Sequence, residues 1–178
     1  MSTDNLFSTL HSSSTLYITI GNTLRSDDGV GPVIASRLSE MPGIWIKDAG
    51  NRPERAMDWV LEMRPSMVVF IDASDFGGVA GEIRELHSEN LSDSTFSTHR
   101  IPLPLIAEWI ASEAGAECRY IGIQPLSMAL GEGLSPEVEL AAARIVRALG
   151  ENGRYSRGIV GKTAQAITNA LGIEVASV

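Results

Sequence analysis

Apolar positions alternate along Leu16-Tyr17-Ile18-Thr19-Ile20, which predicts a strand ending at Gly21-Asn22. A polar loop, Thr23 to Gly29, then leads into apolar residues at three- and four-residue spacing, which predict a helix over about 30–40. Pro42-Gly43 ends that helix, and Ile44-Trp45-Ile46-Lys47-Asp48 reads as a second strand. A helix over about 54–63 follows and stops at Arg64-Pro65. Met67-Val68-Val69-Phe70-Ile71 is apolar without interruption up to Asp72, as expected of a central strand buried on both faces. After Asp72-Ala73-Ser74-Asp75 and Gly77-Gly78 comes a short strand, Glu82 to Leu86. The connection is too short for a crossover helix, so this strand is expected to be antiparallel.

Residues 88–98 are mostly polar and irregular. The prolines of Ile101-Pro102-Leu103-Pro104 suit the first turn of a helix reaching about 114. Arg119 to Pro125 reads as the next strand, and Gly131 to Gly133 as a loop. Ser135-Pro136 starts a helix to about Leu149, with a serine cap and proline at its first position. Residues 151–178 hold only a weak amphipathic segment around 162–171. Strands alternating with helices predict a three-layer α/β/α sandwich around a mostly parallel five-stranded sheet with one antiparallel strand.

In such sheets ligands gather beyond the carboxyl ends of the strands, near the switch point. Asp27 and Asp28 follow the first strand, Asp48 ends the second, and Asp72 and Asp75 follow the third, so all five are expected on one rim. A nucleotide-binding loop would carry glycines after the first strand; here two adjacent carboxylates would repel a phosphate.

Composition narrows the class. The 178 residues suit one domain, here divided as a leader (1–14), an α/β domain (15–150) and a C-terminal extension (151–178). Hydrophobic residues at 44% and charged residues at 20% are ordinary for a soluble globular chain. A formal net charge of −8, with no cluster of Lys and Arg, argues against a nucleic-acid partner. The single cysteine, Cys118, excludes an intrachain disulfide and reads as a buried structural thiol. The leader has neither a basic start nor an apolar core, and no apolar run reaches the roughly 20 residues of a membrane span. A soluble, cytoplasmic protein with no membrane partner is expected.

Each candidate has a plainer reading. Asp27 or Asp28 could cap the following helix, but one carboxylate suffices for that and two adjacent ones repel. Asp72 ends an apolar strand, where an unpaired charge would be costly, although aspartate is common at strand–loop junctions. His99 is the histidine in the best context; His11 and His87 read as incidental. Two carboxylates and an imidazole form an O,O,N set suited to a borderline divalent metal such as nickel or zinc. Trp45, Trp59 and Trp109 read as core or core edge, and Asp48 and Asp75 as loop or cap carboxylates. Gln124 ends a strand on the same rim and is a candidate for positioning a ligand. Ser97 and Thr98 lack the strand–elbow context of a serine nucleophile.

Gly21-Asn22 through Asp27-Asp28-Gly29-Val30-Gly31, Asp72-Ala73-Ser74-Asp75, Ser97-Thr98-His99 and Gly122-Ile123-Gln124-Pro125 resemble, in order and approximate spacing, the motifs of the hydrogenase maturation endopeptidases. Asp48 to Glu54, Gly81-Glu82-Ile83-Arg84 and His99 to Leu103 resemble the branch that processes hydrogenase 3-type large subunits. The resemblance covers roughly residues 16–149. It implies a protease that removes a short C-terminal peptide from the large-subunit precursor of a nickel–iron hydrogenase after nickel insertion. By position it implies metal contacts from Asp28, Asp72 and His99, with Asp28 or Asp72 as general base and nickel supplied by the precursor. A monomer is expected. The same ligands would also serve a non-catalytic nickel-binding chaperone or scaffold.

Overall fold

The structure is a computed structural model that describes residues 14–41, 43–86 and 102–155, with the backbone alone for 151–155. Its elements run β1 (Thr15–Thr19), a 3-10 turn (Ser26–Gly29), α1 (Val30–Leu38), β2 (Trp45–Asp48), α2 (Arg55–Met63) and β3 (Met67–Ala73). β4 (Ile83–Leu86), α3 (Leu103–Ala114), β5 (Glu117–Ile123) and α4 (Pro136–Tyr155) complete the order. His99 and the other histidines lie outside the described residues, as do residues 1–13 of the predicted leader and the 162–171 segment.

The five strands lie in the order β2-β1-β3-β5-β4, parallel except for β4, which pairs antiparallel with β5. β3 occupies the centre, with Phe70 opposite Ile18 of β1 and Tyr120 of β5. Its side chains alternate between the two faces. Met67, Val69, Ile71 and Ala73 pack under α1 and α4 with Ile34, Leu38 and Val138. Val68 and Phe70 pack on the other side under α2 and α3 with Val60, Ile106 and Ile110. Phe70 stacks on Tyr120 with ring centroids 5.5 Å apart. The predicted α/β/α sandwich is the fold observed.

Local chemistry explains the boundaries. Arg64 adopts a left-handed conformation (φ 47°) at the end of α2, and Pro65 cannot continue the helix. Pro102 stands extended before α3, with Pro104 in its first turn, where an N–H would have no helical partner. Two expectations change. Trp45 sits on edge strand β2 and is 38% exposed, because that edge has no neighbouring strand to cover it. α4 runs to Tyr155, past the predicted Leu149, since no proline interrupts it.

Candidate functional site

β1 and β3 are neighbours, yet the chain leaves β1 towards β2 at one edge and leaves β3 towards β4 and β5 at the other. Their carboxyl ends therefore frame the topological switch point. Asp28 reaches it from the turn after β1, and Asp72 is the penultimate residue of β3. Two glycines allow this turn. At Gly21 (φ 145°) a Cβ would lie 1.9 Å from the Asp28 carbonyl oxygen, so any side chain would push the loop away. At Gly31 a Cβ would lie 2.1 Å from the Ile20 carbonyl oxygen, so α1 can start directly against the strand end. The Asn22 N–H donates to the Asp28 carbonyl oxygen at 3.1 Å, closing the loop.

Asp72 is electrostatically unusual. Its Oδ1 is sealed from solvent and has no hydrogen-bond partner among the described residues. Burial pushes its carboxyl up to about 7; the Asp28 charge adds to the rise, and a backbone hydrogen bond from Ala73 opposes it. An orphaned carboxylate oxygen beside a second carboxylate can take up a cation or a proton. Among the described residues no three His, Cys, Asp or Glu side chains form a metal-holding group; of the three predicted ligands, Asp28 and Asp72 are described and His99 is not.

The other rim residues divide their work differently. Asp27 does not cap the elements that follow it: neither the 3-10 turn nor α1 has a side-chain cap. Its buried carboxylate accepts hydrogen bonds from the 126–135 loop. The Ser135 hydroxyl, expected to cap α4, donates to Asp27 Oδ2 at 3.0 Å. Gln124 holds the loop after β3: its Oε1 accepts from the Phe76 and Gly78 N–H groups, each at 3.0 Å, and its Nε2 donates to Asp75 Oδ1 at 3.0 Å. The contacts from Gln124 and the Gly77 N–H hold the Asp75 carboxyl below its usual range. Asp48 accepts from the Gly50 N–H and the Thr19 hydroxyl, as a loop carboxylate should. Cys118 is half-buried, and burial pushes its thiol up to about 12, which suits structure over reactivity. The residue overlooked in the sequence is Arg25, whose guanidinium donates to the Met128 carbonyl oxygen, and Ser135 was read as a helix cap with no link to Asp27. Neither contact leaves a local signal, because the partners lie about a hundred residues away.

A doubly covered, mostly parallel sheet that presents paired acids at its switch point, in place of a phosphate-cradling loop, defines an α/β protein of the carboxylate-site kind. Comparison makes the class specific. The family model "Hydrogenase maturation protease" matches residues 33–151. The chain is 33% identical over 109 residues, 60% of this chain and 69% of its relative, to the hydrogenase 3 maturation protease of Escherichia coli K12. It is 28% identical over 140 residues, 73% of this chain and 82% of its relative, to a putative hydrogenase maturation protease of Methanocaldococcus jannaschii. The crystal structure of the nickel–iron hydrogenase maturation protease HycI from Thermococcus kodakarensis superposes with a TM-score of 0.75 at 31% identity, covering 85% of this chain and 97% of that one. The solution structure of the endopeptidase HycI from Escherichia coli superposes with a TM-score of 0.68 at 27% identity, covering 78% and 90%. The chain belongs to the hydrogenase maturation protease family.

Proposed function

We propose that this protein is the endopeptidase that removes the C-terminal peptide of a nickel–iron hydrogenase large-subunit precursor once nickel has been inserted. Asp28, Asp72 and His99 engage the nickel that the precursor carries. The observation that bears most weight is the sealed, unpartnered Asp72 Oδ1 beside Asp28. A hard-oxygen pair with one further nitrogen ligand suits a divalent cation presented by a substrate. Nickel held in the precursor supplies Lewis acidity at the scissile carbonyl. The chain's own residues orient the bond and move protons. Whichever of Asp28 and Asp72 the nickel leaves free can take a proton from water and return it to the leaving amine.

The test is the intact mass of the cognate precursor after incubation with this protein, in nickel-loaded and nickel-free forms. A discrete C-terminal peptide is expected to leave only the loaded form, and Asp72→Ala and His99→Ala should abolish its loss while the fold survives. If both variants cleave at the wild-type rate, the proposed site is wrong. If the wild type binds the precursor without cutting it, the protein is a nickel-binding scaffold.

A further inference from the structure

We propose that Asp27 is the positioning residue of this site: its carboxylate clamps the 126–135 loop to the 3-10 turn and so sets where Asp28 stands relative to Asp72. The inference rests on the peptidase reading of the Asp28–Asp72 pair.

Side chains of adjacent residues in a 3-10 turn point about 120° apart, so Asp27 and Asp28 cannot serve the same direction. Asp27 points inward and is 1% exposed. Its Oδ2 accepts from the Leu126 N–H at 2.9 Å, the Ser127 N–H at 3.1 Å and the Ser135 hydroxyl at 3.0 Å. Its Oδ1 accepts from the Ser135 N–H at 2.6 Å. All four contacts need acceptors, which two carboxylate oxygens provide and an amide only half provides. All four donors belong to one loop.

Further links around the clamp join the same two segments. The Ser26 N–H donates to the Gly131 carbonyl oxygen at 2.7 Å, the Gly131 N–H to that of Leu24 at 3.0 Å, and the Asp27 N–H to that of Ser127 at 3.1 Å. The Ser26 hydroxyl donates to the Ala129 carbonyl oxygen at 3.1 Å in an exposed setting. Asp27 is the buried member of this set, and its loss strands several donors at once. The Asp28 backbone rides on the clamped segment, with its N–H bonded to the Arg25 carbonyl oxygen at 3.1 Å. Freeing the turn moves Asp28 while leaving the sheet that carries Asp72 in place.

The experiment compares the full-length wild type with Asp27→Ala and Ser135→Ala, measuring kcat and KM on nickel-loaded precursor together with amide hydrogen exchange. For Asp27→Ala, kcat should fall roughly 10- to 100-fold, the scale of a misplaced catalytic group, while KM stays within about twofold. The Asn22 and Asp28 amides, which the Asp27 side chain does not touch, should lose protection while β3 keeps its own. Ser135→Ala should lower kcat only about 2- to 5-fold, since the Ser135 N–H contact survives. A folded Asp27→Ala with wild-type kcat and unchanged exchange at Asn22 and Asp28 overturns the proposal. So does a fall in kcat that merely follows the folded fraction. Should Asp27→Ala not fold, wild-type kcat and exchange in Ser135→Ala overturn it instead. If the wild type itself does not cleave, the peptidase reading fails, and the exchange measurement still decides whether the clamp exists.

Discussion

Asp72 is held in a place that disfavours its charge, and pH should expose this. The carboxyl titrates near 3.8 in the unfolded chain and at about 7 in the fold. Between those values the folded state binds the extra proton, so stability is full at low pH and falls as pH rises through about 7. Asp72→Asn keeps the shape and removes the titration. The variant should match the wild type near the acid end and exceed it above neutrality by on the order of a few kcal/mol. Melting curves of both proteins across that range check this; a constant difference would mean that Asp72 is not sealed. Asp72 was legible in the sequence because an apolar run stopping at an acid is a local pattern. The division between Asp27 and Asp28 was not, because what separates them is Ser135 and the Leu126 and Ser127 amides, 99 to 108 residues further on. Trp45 was misjudged for a related reason: an aromatic in a strand looks the same whether that strand is central or at an edge.

At the scale of elements, patterns of period two and of three to four recovered the strands and helices, and the short Gly77-Gly78 connection indicated the antiparallel β4. These signals are local, so one sequence suffices to read them. The glycines of the loop after β1 could be read as turn residues, but not the reason each must be glycine, which is the backbone pressed against it. Gly21→Ala should therefore cost about 1–3 kcal/mol of stability and lower precursor cleavage as well. Denaturant melts paired with cleavage rates measure both effects. An alanine that leaves stability and rate unchanged would show that the Asp28 turn tolerates displacement.

For the whole molecule, the sheet order places the switch point between β1 and β3, and acids stand where a dinucleotide fold would offer N–H groups to phosphate. Millimolar ATP or NAD should shift the melting temperature by less than about 1 °C. A clear rise would reopen the nucleotide-binding reading. Among the described residues no helix is long and apolar enough to cross a membrane. The fold class was readable because it follows from the alternation of elements. The stitching of the rim was not, because it is made by contacts between the two ends of the domain.

That stitching has a consequence for the newly made protein. Asp28 and Asp72 leave the ribosome long before Ser135, 108 residues after Asp27, has been synthesised. A nascent chain carries both acids but not the donors that orient one of them. A product released short of Ser135 lacks that clamp and should cleave precursor more slowly than the finished chain. Translation through the loop before α4 is the step that brings the clamp's donors to Asp27.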